Sequence, residues 1–301
     1  MYLEYYKNKI SEIPDFLEKY LSAPSMVRLK KIGYFCGMDY ASNDVYDFLE
    51  YITRFDHSLT VALLTYRLTR SKEATLAGLF HDIATPCCSH VIDYMNNDFS
   101  KQESTEEYTE RIIKSDFELV NYLNSDNINV DDVVDFKKYT IVDNDRPKLC
   151  ADRLDGIILT AISWCKNITL EDINLILESI KIYRNENGED EIGFDDINVT
   201  QRIIEINNVI DIYCHTDSDN YMMILLGDIV KLGIKYKLFS YDDLYSLTED
   251  ELFSILNNSK YSDINSLLDR FYNIKNDDIP HTNIPSIKRR LIRPICNGKR
   301  C

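Results

Sequence analysis

The sequence predicts a mainly α fold with one small β-hairpin, and three observations predict it. Apolar residues recur at helical spacing along most of the 301 residues, as in segments 58–64 and 74–80. The chain has only nine glycines and seven prolines, which favours helices joined by short connections. In residues 180–194, two short apolar runs flank the dipeptide Asn187-Gly188, which is typical of a β-hairpin.

The same patterns give the helices in chain order. The predicted helices cover residues 12–22, 25–33, 43–52, 56–71, 73–82, 88–96, 103–115, 117–124, 130–137, 150–164, 169–179, 199–214, 218–236, 241–246 and 248–258. One of them is expected to begin near Pro24, with Ser22 or Ser25 as its cap. Thr248 is followed three residues later by Glu, which is a capping-box signature, and Thr169 precedes acidic residues that favour a helix start.

The C-terminal tail, residues 277–301, differs in composition from the rest of the chain. It contains three prolines and a basic cluster formed by Lys288, Arg289, Arg290 and Arg293. Because the body of the chain is acidic, we expect the tail to dock on it as a strand or an extended arm. A regulatory or oligomer contact is the alternative.

Charge and hydropathy exclude several classes of protein. The formal net charge of -16 argues against a general nucleic-acid-binding surface, which needs clustered Lys and Arg, but it does not forbid a nucleotide pocket. The chain begins with charged residues, and no stretch approaches 18 apolar residues. We therefore expect a cytoplasmic protein that makes no membrane contact.

The eight cysteines are scattered without Cys-x-x-Cys spacing, as expected for reduced residues of a cytosolic protein. Cys87 and Cys88 follow Asp82 closely, so thiolate ligation of a metal is an alternative for them. Adjacent side chains rarely converge on one ion, and packing in the core is the role we expect.

Four residues form an ordered set that could hold one divalent metal ion: His57, His81, Asp82 and Asp152. Imidazole nitrogens and carboxylate oxygens suit Mn, Fe, Co, Ni, Zn or Mg, and a site with open positions can activate water. The histidines adjoin apolar helical segments, where a buried His or Asp is costly unless it is paired or bound to metal. The dipeptide His81-Asp82 alone is a weak signal, and a core histidine with satisfied hydrogen bonds is the competing interpretation for each site.

The sequence motifs around these residues resemble those of a known family. Residues 54–59 (Arg-Phe-Asp-His-Ser-Leu), 81–83 (His-Asp-Ile), 89–93 (Ser-His-Val-Ile-Asp) and 152–155 (Asp-Arg-Leu-Asp) are similar to motifs of the HD-domain phosphohydrolases. The deoxynucleoside triphosphate triphosphohydrolases are the branch that they resemble most. The resemblance spans roughly residues 25–160 and continues more loosely through 247–252.

The resemblance implies an organisation and a reaction. Residues 1–178 would be the helical, metal-binding HD core, and residues 179–301 would add the hairpin, C-terminal helices and basic tail packed on that core. A nucleotide, such as a deoxynucleoside triphosphate, or another phosphorylated small molecule would be the partner, and water activated by one metal ion would attack phosphorus. A homo-oligomer is compatible with the family.

Further residues are candidates for the reaction itself. Arg54 precedes His57 by three residues, so it would share a helix face with it and could contact phosphate, while the resemblance implies the same role for Arg153. His90 and Asp93 lie one helical turn apart and are candidate catalytic residues, with a structural capping role as the alternative.

The chain also departs from the branch that it resembles. Thr85 stands where the family has a histidine, and Gln102 or Thr105 stands where it has a second one suited to protonate the leaving oxygen. Gly156 stands where an aromatic residue often contacts the phosphate or sugar.

These departures keep other functions open: a phosphomonoesterase, or a degenerate HD protein that binds metal and nucleotide as a regulatory module. His90 is the only histidine between Asp82 and Asp152, which favours one metal ion over two. His215 and His281 have no motif context, and we expect them to be ordinary surface or core residues.

Overall fold

The computed structural model describes residues 1–96, 108–282, 284 and 287–301. Within these residues the chain forms 15 α-helices and a four-stranded sheet, so the prediction of a mainly α fold with a small hairpin is confirmed. In this part of the chain, no helix combines the length and the apolar character needed to cross a membrane.

The elements follow one another as a long series of helices interrupted by one hairpin. The helices are α1 (Tyr2–Ile10), α2 (Asp15–Leu21), α3 (Pro24–Leu29), α4 (Arg54–Thr69), α5 (Lys72–Phe80), α6 (Val91–Met95), α7 (Thr109–Ser115), α8 (Phe117–Ser125), α9 (Asp131–Val134), α10 (Ala151–Ser163), α11 (Leu170–Ser179), α12 (Ile197–Tyr213), α13 (Asp217–Lys235), α14 (Glu249–Asn257) and α15 (Ser262–Asn273). The strands are β1 (Ile180–Arg184), β2 (Asp190–Phe194), β3 (Ile295–Cys296) and β4 (Lys299–Arg300).

Helices α4, α5 and α10 form the centre of the core. Ten of the 16 residues of α4 and ten of the 13 residues of α10 are buried, so these helices are covered on almost every side. Gly78 lets α5 approach α4 closely, because a Cβ atom there would lie 3.3 Å from Thr65 Oγ1 and 3.4 Å from Val61 Cγ1. The close contact fixes the relative positions of the ends of α4 and α5.

Local capping fixes where several helices begin. Thr53 accepts a hydrogen bond from the backbone of Asp56 and the Asp56 side chain accepts one in return, which forms a capping box at the start of α4. Thr169 and Thr248 start α11 and α14 in the same way, as the sequence predicts. The capping residue predicted for α3 is wrong: α3 begins at Pro24 after Ala23, with no side-chain cap, and the Ser25 amide donates to Asp116 instead.

The helix predicted at residues 43–52 is wrong. The backbone there bonds to distant parts of the chain, since the Leu49 amide donates to the Ser163 carbonyl and the Tyr34 amide donates to the Ile52 carbonyl. These tertiary hydrogen bonds replace the local ones that a helix needs. Helices α1 and α15 were not predicted, the predicted helix 241–246 is a 3-10 turn over Asp242–Tyr245, and residues 103–107 of another lie outside the described residues.

The sheet joins the hairpin to the C-terminal tail. Strands β1 and β2 are antiparallel with Ile182 opposite Ile192, β3 runs parallel to β2, and β4 pairs with β3. Arg300 on β4 binds the buried Glu191 carboxylate at 2.5 and 2.8 Å. Before β3, the Arg290 amide donates to Asp211 at 2.6 Å, which holds an extended segment of the tail against α12. The division of the chain at residue 178 stays a prediction.

Candidate metal centre

Three helix ends bring the predicted ligands together. His57 lies in the first turn of α4, His81 directly follows the last residue of α5, and Asp152 is the second residue of α10. Since α4 packs on both α5 and α10, side chains at these ends meet at one point at the edge of the core.

Three ligand atoms converge on a space of the size of one ion. His57 Nε2 lies 3.2 Å from His81 Nε2 and 3.0 Å from Asp152 Oδ1, and His81 Nε2 lies 3.6 Å from the same carboxylate oxygen. All three atoms are within 4.8 Å of one another. His57, His81 and Asp152 are therefore positioned to bind a metal ion.

The outer nitrogens of both imidazoles have acceptors that fix the rings. His57 Nδ1 lies 2.7 Å from Asp155 Oδ2, and the other oxygen of that carboxylate accepts a hydrogen bond from the Tyr6 hydroxyl. His81 Nδ1 lies 2.7 Å from the Gly78 carbonyl oxygen. With the proton on Nδ1 in each ring, both Nε2 lone pairs face Asp152, the arrangement that metal-binding histidines require. The residues present fit a divalent ion.

The charges at this point favour a cation. Burial lowers the pKa of His57, but Asp152 and Asp155 more than offset it and raise that pKa to about 10. Burial likewise raises the pKa of Asp152, yet its hydrogen bonds to His57 and His81 lower it well below the ordinary value. Without an ion the cluster therefore holds protons between the rings and the carboxylate, and a bound metal would displace them.

Asp82 lies beside this trio. One of its oxygens is 3.8 Å from His57 Nε2 and the other is 3.8 Å from His81 Nε2, while Oδ2 also accepts from Arg54 at 2.8 Å. Burial raises the pKa of Asp82, but His81 and Arg54 lower it by more, so the carboxylate is ionised. Its predicted role as a fourth ligand stays a prediction.

The two arginines predicted to contact phosphate are bound within the chain. Buried Arg54 donates to Asp82, to Ser89 Oγ at 3.1 Å and to the Tyr34 carbonyl at 3.3 Å. Arg153 donates to Asn144 and to the Lys148 carbonyl, so it holds the segment before α10. Both arginines line the cavity beside the trio, and both have structural partners there.

The two candidate catalytic residues form a hydrogen-bonded pair. His90 Nδ1 lies 2.8 Å from Asp93 Oδ2; Asp93 is fully buried, and His90 lines the cavity. Of the family positions that differ, Thr85 is buried and Gly156 lines the cavity, whereas Gln102 and Thr105 lie outside the described residues.

The remaining histidines and the adjacent cysteines lie away from the trio. His215 Nδ1 bonds to the Asp211 carbonyl, and the exposed His281 bonds to Asp217. Cys87 donates to the Leu247 carbonyl and Cys88 is buried, so both pack in the core as expected.

A cavity of about 660 Å³ opens from the metal centre. One wall is aromatic: the rings of Phe35 and Phe48 stack at 4.4 Å, and Trp164 lies against both. Basic residues also line the cavity: Arg54, Lys137, Arg146, Lys148, Arg153, Lys288 and Arg290. The cavity thus has a metal-binding end and an aromatic wall. Basic residues form a larger share of its charged residues than they do in the chain as a whole.

Two residues of the site were missed by sequence reasoning. Asp155 has a signal, since it follows Asp152 by three residues and so shares its helix face. Tyr34 comes from the segment before α4 and has none that we recognise. A second potential ligand group, formed by Asp143, Cys150 and Asp152, adjoins the trio, but Asp143 is already paired with Arg153.

The chain was compared with known protein families. Residues 54–155 match the family model described as HD domain, and this range begins at Arg54 and ends at Asp155. Over these residues the chain is similar to HD domains. The trio His57, His81 and Asp152 lies inside the matched range, which supports a metal-dependent hydrolase.

Two similar proteins extend the comparison beyond residues 54–155. The uncharacterised protein YdhJ of Bacillus subtilis is 27% identical over 291 residues, which cover 94% of this chain and 84% of the relative. The metal-dependent phosphohydrolase cns2 of Cordyceps militaris is 28% identical over 132 residues, which cover 44% of this chain and 37% of that protein.

Proposed function

We propose that this chain is a metal-dependent phosphohydrolase whose substrate is a nucleotide, with deoxynucleoside triphosphates as the first class to test. The observation that carries the proposal is the convergence of His57 Nε2, His81 Nε2 and Asp152 Oδ1 at one end of a large cavity. The HD domain match and the likeness to a metal-dependent phosphohydrolase support the same chemistry.

His57, His81 and Asp152 would hold a divalent ion, which would lower the pKa of bound water and withdraw charge from phosphoryl oxygens. The chain's own residues do the rest. Asp155 and the Gly78 carbonyl hold the two imidazoles in one tautomer. Arg54 holds Asp82 at the edge of the trio, and His81 and Arg54 together lower the pKa of Asp82 by more than burial raises it, so the carboxylate stays ionised.

The charge distribution supports an anionic substrate. The chain has 50 acidic and 34 basic residues, yet the cavity is lined by seven basic and six acidic residues, of which Asp82 and Asp152 belong to the metal end. Lys288 and Arg290 bring part of this positive charge from the tail. A cavity with nearly balanced charges in a strongly acidic protein favours a phosphorylated small molecule over nucleic acid, because the basic residues are confined to the cavity.

The aromatic wall supports a nucleoside as the other half of the substrate. Phe48 and Trp164 offer ring faces or edges, and stacking of a base on an aromatic ring contributes about 1–3 kcal/mol. Asp219 and Asn207 line the same cavity and could bond to polar groups of a base or sugar.

The His90–Asp93 pair supports a hydrolytic role over a purely structural one. Its buried carboxylate orients the imidazole, so that His90 is suited to protonate a leaving oxygen. A triphosphate leaving group depends less on protonation than an alkoxide does, so the reaction can proceed without the histidines that Thr85 and Gln102 or Thr105 replace.

The test is a turnover assay on deoxynucleoside and nucleoside mono-, di- and triphosphates with Mn, Co, Mg, Fe and Ni, with the products separated chromatographically. His81→Ala removes one predicted ligand, and His281→Ala is the matched control because His281 is exposed, pairs with Asp217 and is not a member of the trio. Triphosphate release that is lost only in His81→Ala is the expected result.

Other outcomes separate the alternatives. Release of orthophosphate from monophosphates would identify a phosphomonoesterase. Tight nucleotide binding without turnover under every metal would contradict the proposal and favour a regulatory module that binds metal and nucleotide.

A further inference from the structure

Tyr34 presents a hydroxyl group to the cavity beside the metal centre. The centroid of its ring lies 5.0 Å from the centroid of the His57 ring and 4.9 Å from the guanidinium carbon of Arg54. Other tyrosine hydroxyls nearby donate hydrogen bonds: the Tyr6 hydroxyl donates to Asp155 and the Tyr46 hydroxyl donates to Asp219. Among the hydrogen bonds of the described residues, none involves the Tyr34 hydroxyl, whose pKa is affected by burial and neighbouring charges alone.

The backbone of α10 leaves room for this hydroxyl. Gly156 follows Asp152 by one helical turn, so it lies on the same face of α10 and also lines the cavity. A Cβ atom at Gly156 would lie 2.9 Å from the Tyr34 oxygen and, apart from its chain neighbours and the adjacent backbone of α10, within 4 Å of no other described atom. The space above Gly156 is therefore open except for the hydroxyl group.

Contacts of both the backbone and the ring position Tyr34. The Tyr34 amide donates to the Ile52 carbonyl at 2.9 Å, and its own carbonyl accepts from Arg54 at 3.3 Å. The ring also packs edge-on against Phe35 at 5.3 Å. A donor fixed from three sides loses little conformational entropy when a ligand binds.

We propose that the Tyr34 hydroxyl donates a hydrogen bond to a phosphoryl oxygen of the ligand, and that Gly156 is required so that this donor can reach it. The inference rests on the proposed function, because it assigns the place of the phosphate in that site. The hydroxyl lies beside Gly156, one turn of α10 beyond Asp152, so a phosphoryl group bound next to Asp152 would be near it. Tyr34 is then a substrate-binding residue.

Binding of inorganic phosphate to the Mn-loaded full-length chain tests the inference without turnover. Titration calorimetry compares wild type with Tyr34→Phe, which removes only the hydroxyl oxygen. We expect about a tenfold higher Kd for phosphate, the usual effect of losing a hydrogen bond to a charged group. The Kd for Mn alone should not change, because Tyr34 is not one of the three residues that would bind the ion.

Two further variants sharpen the test. Gly156→Ala places a methyl group against the hydroxyl and should weaken phosphate binding to a similar degree, again with Mn binding retained. Tyr5→Phe is the matched control, since the Tyr5 hydroxyl donates to Asn174 outside the cavity, and its phosphate affinity should equal that of wild type.

Each outcome bears on one proposal. A Tyr34→Phe protein that binds phosphate as tightly as wild type, or a wild type that binds no phosphate at all, overturns the inference. Weaker phosphate binding in Tyr34→Phe, from a wild type that hydrolyses no substrate of the panel, supports the inference and contradicts the proposed function. Turnover by wild type, with KM and phosphate Kd unchanged in Tyr34→Phe, supports the proposed function and overturns the inference.

Discussion

His57 Nδ1 lies 2.7 Å from Oδ2 of Asp155, a carboxylate with no exposed surface. Asp155 does not line the cavity and cannot touch a substrate there. It acts on the imidazole instead, because a carboxylate at Nδ1 keeps the proton there and directs the Nε2 lone pair toward the metal centre. The buried Tyr6 hydroxyl holds the second oxygen of this carboxylate at 2.7 Å.

Asp155→Asn should therefore weaken metal binding while leaving all three ligands of the trio in the chain. The side-chain amide can donate to Nδ1, which favours the tautomer with its proton on Nε2. We expect the Kd for Mn to rise about 10- to 100-fold, the range found for partners of metal-bound histidines. Calorimetric titration of the metal-free protein measures it.

The control for this variant is Asp47→Asn, which makes the same chemical change at an exposed ion pair with Lys166. Its Mn affinity should match that of wild type. Equal affinities for Asp155→Asn and wild type would show that the buried carboxylate has no influence on the ligand.

Glu249 gives the fold a pH dependence of known sign. Its buried carboxyl group accepts from the Gly33 amide at 2.9 Å and from the Cys88 amide at 3.3 Å. Burial raises its pKa to about 8, with a contribution from the charge of Asp39, from an ordinary value of 4.5. Between these two pH values the folded chain keeps a proton that the unfolded chain loses.

The free energy of unfolding should thus fall as pH rises from about 4.5 to about 8, by up to about 1.4 kcal/mol per pH unit from this group. Denaturant titrations at pH 5, 6, 7 and 8 compare wild type with Glu249→Gln, which cannot ionise. The difference in slope is the readout, since the substitution also alters two hydrogen bonds. Parallel curves for the two proteins would contradict the prediction.

Much of the fold could be predicted because its signals are local. Helix α4 has a capping box and apolar residues at helical spacing, and both are visible in the sequence. The same holds for α15, which was overlooked although Ile264, Leu268 and Phe271 mark its buried face. Residues 43–52 could not be predicted, because the partners of their backbone groups, such as Ser163, come from other parts of the chain.

In the site, too, some residues have a local sequence signal and others depend on contacts between distant segments. The sequence words around His57, His81 and Asp152 predicted residues that the structure brings within ligand distance. The motif could not show that Arg54 is bound to Asp82, or that Tyr34 lies above Gly156. Both relationships depend on packing between segments that no local pattern connects.

Arg153 was predicted to contact phosphate, and its surroundings predict a different main effect. Its side chain is only 8% exposed and donates to Asn144 and to the Lys148 carbonyl. Arg153→Ala should lower the free energy of unfolding by about 2 kcal/mol, because these partly buried acceptors lose a charged donor. Thermal and denaturant unfolding measure it.

Arg184→Ala is the control, because Arg184 is 72% exposed and its ion pair with Asp190 should contribute less than about 1 kcal/mol. Unchanged stability of Arg153→Ala, together with weaker phosphate binding, would restore the phosphate contact as its main role.

Metal binding should stabilise the fold, because the trio joins the ends of three central helices. An ion that binds the folded chain alone adds about 2.7 kcal/mol when its free concentration is 100 times the Kd, which corresponds to a rise in Tm of about 5 °C. Differential scanning fluorimetry with chelator and with added Mn measures the rise. His81→Ala should lose it, whereas His281→Ala should retain it, because the exposed His281 bonds to Asp217 and is not a member of the trio. An equal rise in both variants would mean that the ion binds elsewhere, since only one of these histidines adjoins Asp152.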